Sequence, residues 1–111
     1  MARLPNSDRL ILDLRKLEDY CLNPTHPRGR HKARVFRDAL GLTRTDARWL
    51  CDALLDAARH ADPITLGSDP AGQRWRIDIA LARHERSAVV RTVWILRPDE
   101  SVPRFVTCWV L

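Results

Sequence analysis

The sequence QRWRIDIAL, residues 73–81, alternates large apolar residues with charged or small ones and decides the fold class. The apolar residues fall on one parity of the alternation: Trp75, Ile77, Ile79 and Leu81. Because successive side chains of a strand point to opposite faces, this pattern predicts a strand with one covered face. Two more apolar runs, SAVVRTVWIL at 87–96 and PRFVTCWVL at 103–111, predict further strands joined by short connections in an antiparallel meander.

The first half of the chain has helical patterns instead. Helices are predicted over about 13–22, from about 29 or 30 to 40, and over about 44–60. Asp13 is suited to cap the first, Gly41 to end the second in a left-handed conformation, and Thr43 with Asp46 to form a capping box for the third. RLIL at 9–12 predicts a short strand or an extended lead-in.

Helical patterns followed by strand patterns predict the fold class α+β, with two or three N-terminal helices packed on one face of a three- to four-stranded antiparallel sheet. A chain of 111 residues fits a single domain, 1–111, with a helical half over about 1–62 and a sheet half over about 73–111. We find no internal repeat and no low-complexity segment in the sequence.

Charge is the compositional feature that bears on function. Nineteen Lys and Arg against fourteen Asp and Glu give a net charge of +5, and only two of the cations are lysines. Arginine forks suit phosphate, so a nucleic acid is one natural partner, although an arginine-rich codon preference explains the same composition. Three widely spaced cysteines indicate a reducing compartment. Without a secretory leader or a long apolar run, we expect a soluble cytoplasmic protein that does not bind a membrane.

The segment NPTHPRGRHKARVFRDALG, residues 23–41, gathers positive charge and imidazoles where a loop becomes a helix. Lys32 falls on the apolar arc of the predicted helix, and His31 lies on its border. A cation turned toward a core needs an anion, supplied either by a ligand or by a neighbouring carboxylate. Arg28 and Arg30 stand at the helix N-terminus, which favours phosphate, and His26 adds a second side chain suited to acid–base chemistry.

Metal and thiol chemistry are not indicated by the sequence. The spacing of Cys21, His26 and His31 matches no common zinc pattern, so we expect no metal and no cofactor. Each of Cys21, Cys51 and Cys108 lies in an apolar context typical of a small buried hydrophobe.

The predicted strands add cationic, hydroxyl and aromatic side chains: Arg76, Arg91, Arg104, Thr107 and Trp109. Alternation places Thr92 on one strand face with Trp94. On the next strand it places Thr107 with Phe105 and Trp109. If these two faces coincide, hydroxyls and rings line one surface of the kind that binds single-stranded RNA; packing alone also explains such residues in strands.

LPNSDRLILDLRKLEDYCLNPTHPRGRHKARVF, with TVWI and PRFVTC near the end, resembles a family of small bacterial domains of unknown function. Members occur as stand-alone proteins and at the ends of polymorphic toxins. The layout of helices before an antiparallel sheet is also similar to the metal-independent ribonucleases that include barnase, EndoU, colicin nucleases and RelE-type toxins. Members of the family often have tyrosine where this chain has Trp109, so the resemblance leaves stacking rather than proton transfer to this residue.

The resemblance implies a toxin-like endoribonuclease that cleaves RNA through attack of the 2′-OH without a metal ion. It implies the following catalytic residues: His26, His31, Lys32, Arg104 and Thr107. Phosphate or RNA binding would fall to the following residues: Arg28, Arg30, Arg76, Arg91 and Trp109. The alternative is a non-catalytic module of a toxin–immunity or phage-related system that binds nucleic acid or protein. Either function admits an acidic immunity or antitoxin protein as a partner.

Overall fold

The computed structural model describes residues 3–111, and its C-terminal half is a four-stranded antiparallel sheet in the order β1-β2-β3-β4. The strands span β1 Ile64–Asp69, β2 Gly72–Arg83, β3 Arg86–Leu96 and β4 Arg104–Val110. The predicted α+β class is confirmed, because helical segments precede the sheet and pack on one of its faces.

Strand β1 has no counterpart among the predicted elements. All six of its residues are exposed. The strand therefore lacks the alternation of buried and exposed residues from which a strand is predicted in a sequence. Its pairing with β2 shifts register between Thr65 and Gly67, and Gly67 has a φ of 91°. This edge strand is therefore formed by its backbone pairing with β2, without a hydrophobic pattern of its own.

The segment predicted at 9–12 is an extended lead-in that makes a single parallel bridge, between Ile11 and Arg104. The Ile11 N–H donates to the Pro103 carbonyl at 3.1 Å, and the Phe105 N–H donates to the Ile11 carbonyl at 2.8 Å. These bonds cover the start of β4, which is otherwise an edge of the sheet.

The two regular helices lie close to their predicted positions. Helix α1 spans Arg30–Leu40 and ends at Gly41, whose φ of 67° is the left-handed cap that the sequence predicted. Helix α2 spans Ala47–Ala58 and follows a short 3₁₀ turn. The Asp46 carboxylate accepts the Thr43 backbone N–H at 2.8 Å, as expected for the capping box.

The helix predicted over about 13–22 is present as a helical segment, but most of it is π-helical and not a regular α-helix. Asp13 accepts the Arg15 N–H at 3.0 Å and starts a helical turn, but the segment then widens into a π-helical turn over Leu17–Cys21. The Leu22 N–H donates to the Leu17 carbonyl at 2.8 Å, five residues back. This wider turn buries Leu17, Cys21 and Leu22 together, so tertiary packing overrides the regular helical period.

The core lies between the helical layer and one face of the sheet. The largest side chains without solvent exposure are Phe36, Leu40, Leu50 and Leu54 from the helices and Ile77, Val90, Trp94 and Phe105 from the strands. Trp94 and Phe105 meet edge to face with ring centroids 5.5 Å apart. The other sheet face presents β2 and β3 residues of opposite parity, among them Arg76 and Arg91.

A buried hydroxyl connects two central strands. Thr92, the buried polar residue of this core, donates from Oγ1 to the Ile77 carbonyl at 2.7 Å and accepts the Trp94 indole N–H at 2.8 Å. Replacing the hydroxyl by a methyl group would leave both partners unsatisfied in the core. The hydroxyl therefore holds the two strands in register as well as filling space.

We expect Thr92→Val to lower the free energy of unfolding by about 2 kcal/mol, measured by urea denaturation, because the Trp94 N–H and the Ile77 carbonyl lose their partner. Thr92→Ser is the matched control, since it keeps the hydroxyl and removes one methyl group at a cost of about 1 kcal/mol. A larger loss for serine than for valine would contradict this account.

Candidate functional site

Lys32, in the first turn of α1, reaches the final strand. Its Nζ donates to Thr107 Oγ1 at 2.8 Å and lies 4.9 Å from the Tyr20 ring centroid and 5.4 Å from that of Trp109. The side chain is half-buried, and no carboxylate within residues 3–111 forms an ion pair with it. We call the group of Tyr20, His26, Lys32, Thr107 and Trp109 the lysine site.

His26 joins the lysine site through Tyr20. The two rings meet edge to face at 4.8 Å between centroids. His26 Nδ1 accepts the backbone N–H groups of Arg28 at 3.0 Å and of Gly29 at 2.9 Å. The imidazole therefore closes the loop that leads into α1, and only its Nε2 is left for other partners.

A bulge in β4 sets the position of Thr107. Trp94 pairs with Phe105 and Val93 with Thr107, so Val106 is the extra residue of the last strand. Phe105 and Cys108 are thereby both buried, and Thr107 is displaced from the core face.

The faces that bear Thr92 and Thr107 do not coincide, so the condition for one shared surface of hydroxyls and rings is not met. Thr92 pairs with Cys108 and is fully buried, whereas Thr107 pairs with Val93. The predicted grouping of Thr107 with Phe105 fails for the same reason, because the bulge shifts the alternation between them. Sequence spacing alone does not reveal such a shift.

His31 is exposed and makes no hydrogen bond within the described part of the chain. Arg28 and Arg30 are exposed on the same loop and first turn, and Arg30 Nη1 donates to the Pro27 carbonyl at 2.9 Å. Arg104 lies at the start of β4, where its guanidinium forms a two-bond ion pair with Glu100, with Nε at 3.1 Å from Oε1. The structure thus joins Lys32 and Thr107 directly and His26 through Tyr20. Within the described residues, no side-chain hydrogen bond or ion pair links His31 or Arg104 to this group.

Arg76 and Arg91, which the sequence predicted to bind phosphate, share the carboxylate of Asp78. Arg91 donates to Asp78 from Nε at 2.9 Å and Nη2 at 3.0 Å, and Arg76 Nε lies 3.8 Å from the same carboxylate. The Arg91 hydrogen bonds hold the pKa of Asp78 below its usual value. One acid therefore partly neutralises two guanidinium groups, and this face keeps a net positive charge.

Two cysteines far apart in the sequence meet below the lysine site. Cys108 Sγ lies 3.9 Å from Cys21 Sγ, and the Cys21 thiol is 3.7 Å from the Cys108 carbonyl. Both are buried and free. The Cys108 thiol stabilises the Cys21 thiolate and lowers the pKa of Cys21, with help from the Lys32 ammonium, while the pKa of Cys108 is raised by the same hydrogen bond and by burial.

The lowered pKa of the Cys21 thiol predicts that the free energy of unfolding depends on pH. A folded protein with a lowered Cys21 pKa releases this proton earlier than the unfolded chain, whose thiol has the ordinary pKa of 9.0. Between the lowered value and 9.0 the unfolded state holds more protons, so the free energy of unfolding should rise with pH, by at most about 1.4 kcal/mol per pH unit.

This rise should be absent in Cys21→Ser and retained in the matched variant Cys51→Ser, measured by urea denaturation under reducing conditions at several pH values. Cys51 is also buried, but burial raises its pKa, so it does not produce the rise. Equal pH profiles for the wild type and Cys21→Ser would contradict the assignment.

Sequence reasoning missed Tyr20 and Lys16. Tyr20 flanks the apolar stripe of its segment, and such an aromatic residue is indistinguishable from core without knowing that Lys32 lies against it. Lys16 donates to the carbonyls of Phe105 at 3.1 Å and Val106 at 3.4 Å, at the β4 bulge. Burial and the cations Arg97 and Arg104 lower the pKa of Lys16. Both lysines of the chain are therefore directed at the last strand.

Within residues 3–111, no three His, Cys, Asp or Glu side chains are grouped so that they could hold a metal ion. Among the helices of the same residues, none combines the length and the apolar character needed to cross a bilayer.

The fold and the site define a two-layer α+β domain with a half-buried lysine between aromatic rings where the first turn of α1 meets its last strand. A family model described as a domain of unknown function, DUF6883, matches residues 3–111, and the chain belongs to this family. The expected membership in a family of unknown function is thereby confirmed. None of the curated proteins matches the chain.

A similar solved structure is a chain from a contact-dependent growth inhibition toxin–immunity protein complex from Klebsiella pneumoniae 342. The TM-score is 0.70 at 13% sequence identity, and the superposition covers 94% of this chain and 95% of that chain. At this identity the likeness establishes a shared fold over nearly the whole length of both chains.

Proposed function

We propose that this protein is a toxin-like endoribonuclease that cleaves RNA through its 2′-OH without a metal ion. The observation that carries the proposal is the Lys32 ammonium, which has Thr107 and two aromatic faces as neighbours and no carboxylate within the described residues. A half-buried cation without an acidic partner suits an anion that a ligand brings. A phosphodiester supplies such an anion, and the adjacent rings suit its bases.

The reaction is a transesterification at phosphorus. A general base removes the proton of the 2′-OH, and the resulting oxygen attacks the adjacent phosphorus. The bond from phosphorus to the 5′-oxygen then breaks, and that oxygen takes a proton from the Lys32 ammonium. The protonated base releases its proton to water, and the lysine regains one from water, so that no net proton is gained or lost. The products are a 2′,3′-cyclic phosphate and a 5′-hydroxyl. The charge that develops on the phosphorane lies where the Lys32 and Thr107 donors stabilise it.

His31 is the general base in this proposal. It is exposed, precedes Lys32 in the first turn of α1, and has no hydrogen bond within residues 3–111 that a proton transfer would break. His26 is less suited, because a proton on Nδ1 would displace the two backbone N–H groups that this atom accepts. Its role is to position Tyr20 against Lys32.

The remaining predicted residues serve phosphate binding. Arg28 and Arg30 add positive charge to the loop and first turn that lead into α1, and Arg104 contacts a phosphate by exchanging Glu100 for the ligand. Arg76 and Arg91 lie on the sheet face that continues from Trp109, which pairs with Arg91. In this proposal the protein cleaves RNA in the cytoplasm, because reducing conditions there keep the adjacent Cys21 and Cys108 thiols free.

The test is incubation of the purified protein with total RNA in EDTA, compared with the same RNA methylated at its 2′-oxygens. We expect cleavage of the first, with 2′,3′-cyclic phosphate ends, and none of the second, because the nucleophile is blocked. No cleavage of unmodified RNA, or cleavage that requires added metal, would contradict the proposal.

The second candidate is a non-catalytic module that binds nucleic acid or an acidic protein partner. The likeness in fold to a chain from a two-protein complex supports a protein partner, and the net charge of +5 supports an acidic one. This candidate requires salt-sensitive binding without turnover, together with harmless overexpression in cells. A co-purifying acidic protein without any RNA cleavage would favour it over the ribonuclease.

A further inference from the structure

A cleft separate from the lysine site lies beside α1. It encloses about 510 Å³ between the loop at 22–25, helix α1 and the segment 42–45. Arg30, Arg34 and Arg37 recur at helical spacing along one wall, and Arg44 stands in the other. We call it the arginine cleft. Its volume falls in the range of sites for small molecules.

The floor of the arginine cleft is apolar. Leu22, Ala33 and Leu42 line it, and all three are nearly inaccessible to solvent. Ala33 is buried but lies outside the main hydrophobic core, so its methyl group faces this cleft rather than the sheet. Thr25, Thr43 and Thr45 complete the lining. Their hydroxyls bond within the protein: Thr25 Oγ1 donates to Asn23 Oδ1 at 2.8 Å, and Thr43 Oγ1 lies 3.0 Å from Thr45 Oγ1. The cleft therefore combines a small apolar floor with guanidinium groups on its walls.

The guanidinium groups exceed the carboxylates around them. Arg44 pairs with Asp19 at 2.6 Å, and Arg37 lies 3.6 Å from Asp38. All four of these side chains are more than half exposed, so both pairs are weak in water. Arg34 has no hydrogen bond or ion pair within the part of the chain that the structure describes. Positive charge is thus available to a ligand.

We propose that the arginine cleft binds a nucleoside phosphate. Arginine forks match phosphate oxygens, and a base or ribose packs on the apolar groups at the floor. An acidic peptide would pair with the guanidinium groups, but its carboxylates would not pack on the apolar floor of the cleft. The nucleoside phosphate comes either as a free nucleotide or as one unpaired nucleotide of an RNA strand. This inference does not require the lysine site to be catalytic.

The experiment measures binding by isothermal titration calorimetry, with the four nucleoside 5′-monophosphates, inorganic phosphate and a ten-residue 2′-O-methyl oligoribonucleotide as probes. The methylated strand cannot be cleaved, so a failure of the ribonuclease proposal does not affect the result. We expect Arg34→Ala to weaken nucleotide binding about 10-fold, because one charge-assisted contact is lost. Arg48→Ala removes another exposed helix arginine, one outside the cleft, and should leave binding unchanged.

Each outcome decides the inference. Binding of monophosphates that Arg34→Ala weakens supports a free nucleotide, and binding of the oligonucleotide alone with the same loss supports an RNA strand. Equal binding by Arg34→Ala and Arg48→Ala overturns the site, and inorganic phosphate binding as tightly as the nucleotides overturns the nucleoside part. Loss of binding in Lys32→Ala but not in Arg34→Ala would assign the ligand to the lysine site instead. A charge-reversing Arg34→Glu variant, checked by thermal denaturation, should deepen the loss.

Discussion

RNA cleavage should fall about 100- to 1,000-fold in Lys32→Ala, a loss typical of removing a donor that stabilises charge in the transition state. The ammonium has Thr107 Oγ1 at 2.8 Å and no carboxylate partner in residues 3–111, so its remaining donors are open to the phosphate. The measurement is the initial rate of cleavage of an end-labelled RNA in EDTA. Expression in bacteria should arrest growth with the wild type and not with the variant.

Lys32→Met separates a catalytic lysine from a structural one. Methionine keeps the length of the side chain and packs against the Tyr20 and Trp109 rings without a charge to desolvate. We therefore expect cleavage to be lost while the free energy of unfolding stays the same or rises. A variant that loses stability but cleaves RNA normally once folded would contradict the catalytic role.

His31→Ala and Thr107→Val refine the result. His31→Ala should lower the rate of cleavage, because the general base is removed. Thr107→Val leaves the Lys32 ammonium in place and should therefore lower the rate of cleavage less than Lys32→Ala does. Arg48→Ala, on the exposed side of α2, is the matched surface control and should cleave at the wild-type rate.

The second large effect concerns stability. A Cβ atom on Gly29 would lie 2.1 Å from the Tyr20 carbonyl oxygen and 2.8 Å from its carbon, both of them backbone atoms. Gly29 has an ordinary right-handed conformation, with φ −85° and ψ −15°, so the requirement for glycine is steric. We expect Gly29→Ala to lower the free energy of unfolding by about 3 kcal/mol, because the Tyr20 backbone must move.

The measurement is urea denaturation, with Arg30→Ala as the control at the adjacent exposed residue. Since Gly29 also donates to His26 Nδ1, the movement should disturb the Tyr20 ring and lower RNA cleavage in the folded variant. An alanine variant as stable as the wild type would mean that the helix and Tyr20 separate easily. Gly29 thus lets the start of α1 pack against the backbone of Tyr20.

Alternation and helical spacing predicted the layers of this fold well. Strands β2, β3 and β4 and helices α1 and α2 lie where their patterns predicted them, because each buries one face against the core. Sequence patterns failed to predict the structure where buried residues do not recur at a regular helical or strand spacing. Strand β1 is exposed throughout, the turn at Leu17–Cys21 is π-helical, and the β4 bulge shifts the alternation at Val106.

The candidate site was predictable in part for the same reason. Lys32 was noticeable because a cation interrupts an apolar arc, and the structure gives it the Thr107 hydroxyl rather than a carboxylate. The contacts of Lys32 with Tyr20 and of Cys21 with Cys108 join distant parts of the chain and leave no mark on local spacing. Such contacts require the tertiary structure.

The scarcity of lysine in this chain gives a direct probe of two neighbouring positions of β4. Lys16 binds the carbonyls at the bulge and Lys32 binds the Thr107 hydroxyl, and no other side chain carries a primary amine. Reductive methylation with ¹³C-formaldehyde keeps the positive charge and would add two side-chain signals to a carbon NMR spectrum, besides that of the terminal amine. One signal would report on the strand's geometry and the other on ligand arrival, so a single titration could follow both.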